Sequence, residues 1–317
     1  MDEFQRLEDL TRQQDVDYGL TSFIAEVEPN LNRYKDMPPY DQSIVRLDRD
    51  WNEYRNDQQP IGPRISKVQA VYVNANYVKA CDYDVMGRAQ VASRTSLPEY
   101  IATQGPLTHT EADFLYMVHQ QRCPVVIMLC KIETVEVAPH LAKDTAYSAS
   151  YSVPYIQEGG KSKCAQYWPD QAGKPEEKKS FTRTVKVTLL ETIKSPFMVT
   201  RVLMVQPEGK SEPWTFTQLH FLGWGDYAVP DVGEFYQLYQ TYKNIRQQKP
   251  LSAAFGPTVV HCSAGVGRTG TLICADMLLE QLRKNPSQID VFGTVLASRV
   301  FRCQFVQVKV SPSNSTG

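Results

Sequence analysis

A cysteine and an arginine stand six residues apart in one glycine-rich segment of the chain. The segment covers His261–Gly270, with the sequence HCSAGVGRTG, and lies between an apolar run and a helix-like run. A cysteine close to a helix N-terminus is biased toward the thiolate, which is the nucleophilic form of the side chain. A strand, a glycine-rich loop and a helix in this order turn backbone N–H groups toward an oxyanion. These residues therefore indicate an anion-binding loop with a nucleophile at its mouth.

Chemistry on a phosphate would use three side chains of this loop. Cys262 would attack phosphorus, and Arg268 would offer its planar guanidinium to two phosphate oxygens. Thr269 would donate a hydroxyl hydrogen bond to the sulfur, which steadies the thiolate and eases its later departure. A buried cysteine beside a structural turn is the plainer alternative. That alternative fits poorly, because a turn does not require cysteine, arginine and three glycines together.

The last six residues of the segment, 265–270, also fit the G-x-G-x-x-G pattern of a dinucleotide site. Asp290 lies twenty residues after Gly270, where a ribose-binding acid is expected. However, only about fifty residues follow the loop, too few for the rest of a doubly wound sheet. Asp290 also follows a polar turn rather than a second strand, and Arg268 would bring a fixed charge into a closely packed turn. We therefore favour phosphate chemistry and expect no cofactor.

Hydrophobic patterning predicts the elements that must position this loop. Strands are predicted over 70–78, 124–130, three β-rich runs within 180–221, and 257–262; helices are predicted in the first thirty residues and over 109–123, 233–248, 270–285 and 290–301. Short polar linkers between the three β-rich runs favour an antiparallel meander. The pattern predicts an α/β fold of the α+β type. It is a single domain with a twisted mixed β-sheet flanked by helices, in which the phosphate-binding loop joins a strand to a helix.

Composition and charge limit the classes of partner. The net charge of −1 gives no global attraction to nucleic acid or to a membrane surface. The N-terminal stretch lacks the apolar core of a signal peptide, and the longest apolar run, Cys123–Cys130, is too short to span a bilayer. Seven cysteines without CxxC pairs argue against a disulfide framework and against a zinc site. We expect a cytoplasmic protein with no metal, no membrane segment and no nucleic-acid partner. The oligomeric state stays open.

The loop and six further motifs resemble the protein tyrosine phosphatase family. VHCSAGVGRTGTL (260–272) is similar to the signature of that family. The others follow in the order of the family: NRYKDM (32–37) as the phosphotyrosine-recognition loop, YVNANYV (72–78), YIATQGPL (100–107) and KCAQYWP (163–169) as core motifs, HFLGWGDYAVPD (220–231) as the movable acid loop, and FRCQFVQV (301–308) as the glutamine loop. The resemblance covers about residues 31–308. It implies a phosphatase domain over 31–317, preceded by an N-terminal helical segment over 1–30.

This resemblance implies hydrolysis of phosphotyrosine in proteins or peptides through a cysteinyl-phosphate, without metal or cofactor. The implied catalytic residues are Cys262 as nucleophile, Arg268 as phosphate clamp, Thr269, Asp226 as general acid and then base, and Gln307 as the residue that positions water. Implied substrate-binding residues are Tyr34, whose ring would stack on the phosphotyrosine, Asp36, which would hold the peptide backbone, and the loop residues Ser263, Ala264, Gly265, Val266, Gly267 and Arg268. His261, Glu158, Lys163 and Trp224 are implied as supporting residues.

The sequence departs from the family pattern at several places. Gly225 stands where the family usually has the proline of Trp-Pro-Asp, and Ser311 stands where a second glutamine is usual. The stretches near 48–68 and 131–157 are longer than the family pattern, and we interpret them as insertions. The chain stops soon after Ser311, so we expect a truncated C-terminal end without the closing helix of the family. These departures keep a second hypothesis open, a phosphotyrosine-binding domain of the same fold with low activity or none.

Overall fold

A nine-stranded mixed β-sheet forms the centre of the protein. The computed structural model describes residues 2–52, 68–130, 132, 157–158, 161–225 and 228–307. The strands are β1 (Ile44–Arg46), β2 (Tyr72–Lys79), β3 (Asp82–Tyr83), β4 (Ala89–Gln90), β5 (Pro98–Thr103), β6 (Val125–Met128), β7 (Gln157–Glu158), β8 (Lys161–Ser162), β9 (Glu176–Lys179), β10 (Thr184–Lys194), β11 (Met198–Pro207), β12 (Trp214–Phe221) and β13 (Thr258–His261). Their order in the main sheet is β1-β2-β5-β13-β6-β12-β11-β10-β9, while β3 with β4 and β7 with β8 form two separate hairpins.

Helices pack around this sheet, as the sequence pattern predicts. They are α1 (Glu3–Asp17), α2 (Phe23–Val27), α3 (Val68–Val71), α4 (Glu111–Gln120), α5 (Val232–Gln248), α6 (Gly267–Lys284) and α7 (Val291–Arg299), with a 3-10 turn over Pro29–Leu31. The predicted fold class, an α+β domain with a mixed sheet, is confirmed. In the described ranges, no helix combines the length and the apolar character needed to cross a membrane.

Four neighbouring strands at the centre of the sheet run parallel. β13 pairs in parallel with β5 and β6, and β6 pairs in parallel with β12. His261 at the end of β13 is in register with Thr103 of β5 and Met128 of β6. The carboxyl ends of these strands therefore meet at one edge, which is where open sheets of this kind bind ligands. All residues of β6 and β13 are buried, as expected for central parallel strands that are covered on both faces.

The predicted antiparallel meander is present and has one more strand than predicted. β10, β11 and β12 pair as expected, and β9 adds an outer strand with the sequence EEKK. Its residues alternate between half-buried and exposed. The strand has no apolar alternation that would reveal it in the sequence. Charged side chains suit this place, because an uncharged edge strand invites pairing with other chains.

The N-terminal helix α1 packs on the last helix α7. Arg299 of α7 is buried and donates hydrogen bonds to Glu8 Oε1 at 2.6 Å and to Thr11 Oγ1 at 3.0 Å. Leu7 joins Cys274 and Val295 in a small apolar cluster. The first helix therefore contributes buried contacts to the domain. The predicted insertions fall almost entirely outside the described residues, over 53–67 and 133–156.

A buried carboxylate joins α4 to the meander and gives a prediction on pH dependence. Asp113 Oδ1 accepts from Ser180 Oγ at 3.0 Å and from Arg183 Nη1 at 3.2 Å. Burial raises the pKa of Asp113 to about 6, because the loss of solvation outweighs the attraction of Arg183. Between pH 4 and pH 6 the folded state therefore binds more protons than the unfolded state. We expect this group to lower the free energy of unfolding by about 2–3 kcal/mol as pH rises through that range.

Asp113→Asn provides the comparison for this prediction. The amide keeps an oxygen for Ser180 and does not titrate, so it removes the pH dependence while retaining one hydrogen bond. Denaturant unfolding at several pH values should show the variant gaining stability relative to wild type from pH 4 to pH 6. If the variant instead loses relative stability over that range, the ion pair with Arg183 dominates and the prediction is wrong.

Candidate active site

The glycine-rich loop leaves the sheet at the carboxyl end of β13 and enters α6 at Gly267. Backbone hydrogen bonds hold it on both sides. Gly105, which follows β5, donates its N–H to the Ser263 carbonyl at 2.9 Å, and Leu129, which follows β6, donates to the His261 carbonyl at 2.9 Å. The loop is therefore fixed between the ends of two parallel strands. The helix starts three residues earlier than the sequence pattern predicts, so part of the loop is already the first turn of α6.

Gly265 has the left-handed backbone conformation that the loop needs. Its φ is +75°, and a Cβ built there would lie 2.2 Å from the Thr103 carbonyl oxygen. A side chain at this position is excluded both by backbone conformation and by space. With this geometry the Gly265 N–H donates to the Cys262 sulfur at 3.3 Å. The glycine thus turns a backbone donor toward the candidate nucleophile.

Arg302 holds the outer side of the same loop. It is completely buried, and its guanidinium donates to the Gly265 carbonyl at 2.8 Å and to the Ala264 carbonyl at 3.0 Å. It also donates to the side-chain oxygens of Asn74 and Asn76, each at 2.8 Å. In a trans peptide the N–H points opposite to the carbonyl. Binding these two carbonyls on one side therefore directs the N–H groups of the same two peptides into the loop.

Cys262 is buried, with 6% of its surface exposed. Its sulfur accepts the Gly265 N–H, and the buried Arg302 charge acts on it electrostatically. Cys262 directly follows the last residue of β13 and lies five residues before Gly267, the first residue of α6. A thiolate at this point faces backbone donors, a helix N-terminus and a buried positive charge. The same donors would bind the oxygens of a phosphoryl group that the sulfur attacks.

His261 fixes the backbone of the nucleophile from behind. It is completely buried, and its Nδ1 lies 3.1 Å from the Cys262 carbonyl oxygen. A carbonyl only accepts, so Nδ1 carries the proton, and in the neutral ring Nε2 accepts from the Tyr167 hydroxyl at 2.9 Å. Tyr167 in turn accepts from Gln218 Nε2 at 2.8 Å. His261 therefore acts as a positioning residue in a buried hydrogen-bonded chain.

Arg268 and Thr269 stand in the first turn of α6. Arg268 Nη1 donates to the Leu129 carbonyl at 3.0 Å, so the guanidinium lies across the end of β6 beside the loop. Thr269 is completely buried, and its Oγ1 has no hydrogen-bond partner in the described part of the chain. The predicted hydrogen bond from Thr269 to the Cys262 sulfur is therefore not made here. A buried hydroxyl without a partner destabilises the folded state by about 1–3 kcal/mol. The Thr269 hydroxyl would therefore donate a hydrogen bond to any acceptor that came within reach.

Tyr34 of the predicted recognition loop lies against the nucleophile loop. Ser263 Oγ donates to the Lys163 carbonyl at 3.0 Å, so the Tyr34 hydroxyl must donate to Ser263 Oγ, at 2.9 Å. The tyrosine is half-buried against the main core. Lys163 is itself buried. Three segments that are distant in the sequence are thus joined at the residue that follows the nucleophile.

Asp36 lies at the same mouth but is exposed. Its carbonyl accepts from Gln304 Nε2 at 3.1 Å, and Gln304 Oε1 accepts from Gln307 Nε2 at 3.4 Å. Gln307 also lies over the start of α6, because a Cβ built on Gly267 would be 3.9 Å from Gln307 Cβ. The recognition loop and the glutamine loop therefore meet beside the nucleophile. Ser311 lies outside the described residues.

The predicted acid loop is anchored by Trp224. This residue is buried, donates its indole N–H to the Ala228 carbonyl at 2.9 Å, and packs edge-on against Phe235 with ring centroids 5.6 Å apart. Asp226, the predicted general acid, lies outside the described residues. The side chain of Glu158 is also outside them, although its backbone forms the β7–β8 hairpin.

Comparison with known proteins identifies the family. The family model described as protein-tyrosine phosphatase matches residues 28–310. The chain belongs to this family. Receptor-type tyrosine-protein phosphatase F of Bos taurus is 31% identical over 287 residues, which is 90% of this chain and 12% of that protein. Receptor-type tyrosine-protein phosphatase S of Gallus gallus is 32% identical over 287 residues, which is 90% of this chain and 15% of that protein. Receptor-type tyrosine-protein phosphatase C of Rattus norvegicus is 30% identical over 282 residues, which is 88% of this chain and 17% of that protein. The chain therefore spans less than a fifth of the length of these relatives.

Two arginines of this protein-tyrosine phosphatase domain were not among the predicted site residues. Arg302 orients the loop, as described above. Arg33 ties the recognition loop to the segment after β5, since its guanidinium donates to the carbonyls of Gly105 at 2.9 Å and Pro106 at 2.7 Å. Both arginines lie in the quoted motifs, Arg33 beside Tyr34 and Arg302 five residues before Gln307, but nothing in their spacing distinguishes a buried arginine from an exposed one. The position of Arg302 between Phe301 and Cys303 was the one available signal, since a charged residue among apolar neighbours is often buried with partners.

Proposed function

We propose that this domain hydrolyses phosphotyrosine in proteins through a cysteinyl-phosphate intermediate. The observation that carries the proposal is the loop around Cys262, with a backbone donor 3.3 Å from the sulfur and a buried arginine behind it. A dianionic phosphoryl group suits this arrangement, because donors already in place need no reorganisation as charge spreads over the equatorial oxygens.

The first half of the reaction transfers the phosphoryl group to sulfur. The Cys262 thiolate attacks phosphorus, the S–P bond forms, and the bond from phosphorus to the tyrosine oxygen breaks. The departing oxygen takes the electron pair and receives a proton from the Asp226 carboxyl group. Arg268 would release the Leu129 carbonyl, its partner at 3.0 Å, and bind two phosphoryl oxygens with its planar fork.

The second half regenerates the thiolate. A water held by Gln307 attacks phosphorus and gives its proton to the Asp226 carboxylate, while the S–P bond breaks and its electron pair returns to sulfur. The buried Thr269 hydroxyl has no partner among the described residues. We propose that it donates a hydrogen bond to the Cys262 sulfur when the sulfur is anionic. Such a bond would make Cys262 a better leaving group at this step.

Selectivity for phosphotyrosine would follow from the depth of the site. The Tyr34 ring is held at the mouth by its hydroxyl bond to Ser263, and Cys262 lies buried below it. A phosphoserine side chain is too short to reach the sulfur past such a wall, whereas an aromatic ring would reach it and stack on Tyr34. Exposed Asp36 would bind the peptide backbone beside the entrance.

The proposal is tested by hydrolysis of phosphotyrosyl and phosphoseryl peptides of the same sequence. We expect vanadate-sensitive release of phosphate from the first peptide only. Trapping a phosphorylated Cys262 by rapid acid quench would establish the intermediate. Wild-type protein that binds the phosphotyrosyl peptide without releasing phosphate would contradict the proposal.

Asp226→Asn should affect substrates unequally. The general acid is needed when the leaving oxygen is strongly basic and is dispensable when it is not. We expect kcat to fall by about 10²–10⁴-fold for a phosphotyrosyl peptide and much less for an aryl phosphate with an acidic phenol. Asp231→Asn, at the N-cap of α5, is the matched control and should leave this dependence on the phenol unchanged. An equal loss on both substrates would assign Asp226 another role.

A second function, binding of phosphotyrosine with little turnover, is favoured by Gly225. Glycine in place of the usual proline enlarges the conformational range of the acid loop and increases the entropy lost when the loop closes. Less efficient closure would slow protonation of the leaving group while leaving the phosphate cradle intact. Tight peptide binding with very slow phosphate release would support this function over the first.

Gly225→Pro tests the influence of this residue. A Cβ added at Gly225 would lie 3.5 Å from Ala228 Cβ, an ordinary contact, and the φ of Gly225 is not positive. Proline should therefore fit and reduce the entropy cost of closure by about 0.4–1 kcal/mol, which corresponds to a rise in kcat of about 2–5-fold. Gly225→Ala is the control and should give a smaller rise. An unchanged or lower kcat would count against the loop-entropy explanation.

We also propose that the domain works in a reducing compartment such as the cytoplasm. All seven cysteines are free thiols, and six of them are buried. Such a domain gains no stability from disulfides, and its nucleophile must stay reduced to react.

A further inference from the structure

Three side chains that are distant in the sequence form a compact cluster behind the nucleophile loop. Cys130 follows β6, Cys164 follows β8, and His261 ends β13. Their two sulfur atoms and one imidazole nitrogen all lie within 4.8 Å of one another, and all three residues are completely buried. We call this group the thiol–imidazole cluster. The absence of CxxC pairs led to the prediction of no metal site, but the fold brings together side chains of the kinds that bind metals, which local spacing does not reveal.

The cluster has the donor set of a soft metal ion. Thiolate and imidazole are preferred by Zn²⁺ and Cu⁺, with metal–sulfur distances of about 2.3 Å and metal–nitrogen distances of about 2.0–2.1 Å for zinc. Ligands around one such ion lie about 3.5–3.8 Å apart, so donors within 4.8 Å would close on it with shifts on the order of 1 Å. Bound thiol ligands are deprotonated, so binding of the ion would release protons from the two cysteines.

His261 also has the orientation that a ligand histidine requires. Its Nδ1 proton is donated to the Cys262 carbonyl at 3.1 Å, so the lone pair available in the neutral ring is the one on Nε2. That lone pair accepts from the Tyr167 hydroxyl at 2.9 Å and could turn to an ion if the hydroxyl moved aside. A backbone carbonyl that binds the second ring nitrogen is the usual outer support of a metal-bound histidine. The Met128 thioether, 3.9 Å from the same hydroxyl, is a further soft donor nearby.

We propose that Cys130, Cys164 and His261 bind one thiophilic cation, Zn²⁺ or Cu⁺, behind the nucleophile loop. The three donors of the cluster are sufficient for three-coordinate Cu⁺. Tetrahedral Zn²⁺ requires a fourth ligand, such as the Met128 sulfur or a water. The two ions share the same ligand chemistry, so the experiment must separate them.

An ion in the cluster would act on the catalytic loop through the backbone. Leu129, next to Cys130, binds Arg268 through its carbonyl at 3.0 Å. Lys163, next to Cys164, binds Ser263 through its carbonyl at 3.0 Å. His261 directly precedes Cys262. Each proposed ligand is thus adjacent in the chain to a residue of the catalytic loop or to a residue that binds this loop. Movement of the ligands toward an ion would therefore move the catalytic loop as well. We expect a bound ion to lower turnover without contacting the nucleophile.

Metal binding is measured first, because this readout does not depend on the proposed enzymatic function. Reduced, chelator-treated protein is titrated anaerobically with Co²⁺, which reports thiolate ligation by an intense near-ultraviolet charge-transfer band. Zn²⁺ is then used to displace Co²⁺, and Cu⁺ is measured separately by competition with a chromophoric chelator. We expect one equivalent of ion in the folded wild type. We also expect mass spectrometry to show that the bound ion slows alkylation of Cys130 and Cys164.

Four cysteine variants identify the ligands. Cys130→Ser and Cys164→Ser should weaken binding by at least about 100-fold, since even the outer-shell partners of a metal ligand are worth about 10–100-fold. Cys123→Ser removes an equally buried thiol outside the cluster and should leave binding unchanged. Cys262→Ser should also retain the ion. Circular dichroism and thermal unfolding establish that each variant is folded, and Cys130→Ala replaces Cys130→Ser if the serine is not accommodated.

Three results would overturn the inference. The first is a folded wild type that gives no thiolate band and takes up neither Zn²⁺ nor Cu⁺. The second is loss of the ion in Cys262→Ser with retention in Cys130→Ser, which would assign the ion to the nucleophile. The third is unchanged alkylation of Cys130 and Cys164 at saturating ion.

If turnover is detected, its inhibition by the ion should be at least about 10-fold weaker in Cys130→Ser than in wild type. Absence of turnover would refute the proposed function and leave the metal measurements valid.

Discussion

Cys262→Ser is expected to abolish phosphate release while the phosphotyrosyl peptide still binds. A serine hydroxyl is not ionised near neutral pH, so it does not replace the thiolate as a nucleophile toward phosphorus. Loss of the nucleophile should lower kcat by at least about 10⁴-fold. The donors that surround the phosphate, the Gly265 N–H and the groups oriented by Arg302, do not depend on the sulfur. Peptide affinity should therefore stay within about 10-fold of wild type.

Cys81→Ser is the matched control for this substitution. Cys81 is also a buried thiol, and its sulfur lies 3.8 Å from the Thr294 carbonyl and the Ser298 hydroxyl, which could bind a serine. Single-turnover assays and fluorescence titration with a labelled peptide separate chemistry from binding. Equal losses of turnover in the two variants would show that the effect of Cys262→Ser comes from folding, and a normal kcat in Cys262→Ser would exclude the cysteinyl-phosphate.

Arg302→Met should cost both stability and catalysis. Methionine leaves four oxygens of Asn74, Asn76, Ala264 and Gly265 without their buried donor. Leaving several buried acceptors without a partner should lower the free energy of unfolding by about 3–5 kcal/mol. The carbonyls of the loop would also lose the contact that fixes their direction. We expect kcat per folded molecule to fall by about 10²–10³-fold, the effect of losing one oriented donor at a developing anion.

Arg299→Met distinguishes loop orientation from general stability. Arg299 is equally buried and also has several acceptors, but these are Glu8, Thr11 and two carbonyls of the glutamine loop, Phe305 and Val306, and none is in the nucleophile loop. Its loss should destabilise the protein comparably and lower much less the rate of the first step, phosphoryl transfer to Cys262, which does not use Gln307. Urea unfolding gives the stability of each variant, and rates are corrected for the folded fraction. Equal losses of this rate in both variants would mean that Arg302 acts through stability alone.

The sequence predicted the elements that depend on local patterns. The buried strand β6 was expected from its apolar run, and α4 from the spacing of Phe114, Met117 and Val118, all of which are buried. The parallel pairing at the centre of the sheet was not predicted and is set by strand order. β9 was missed because its charged residues, EEKK, have no apolar alternation and become a strand only by pairing with β10. The start of α6 was placed too late, because the residues Gly267–Thr269 carry no local signal that they are already helical.

For the site, the sequence by itself determined the chemical parts. Cys262, Arg268 and the glycines lie within ten residues, and that spacing alone indicates an anion cradle with a nucleophile, since one strand–loop–helix unit is enough to build it. The tertiary structure decided which distant residues support this cradle. Arg302 reaches the loop carbonyls, Tyr34 and Lys163 meet at Ser263, and the thiol–imidazole cluster forms behind the nucleophile, because parallel strands bring their carboxyl ends to one edge. Such contacts depend on strand order, which no short stretch of the sequence contains.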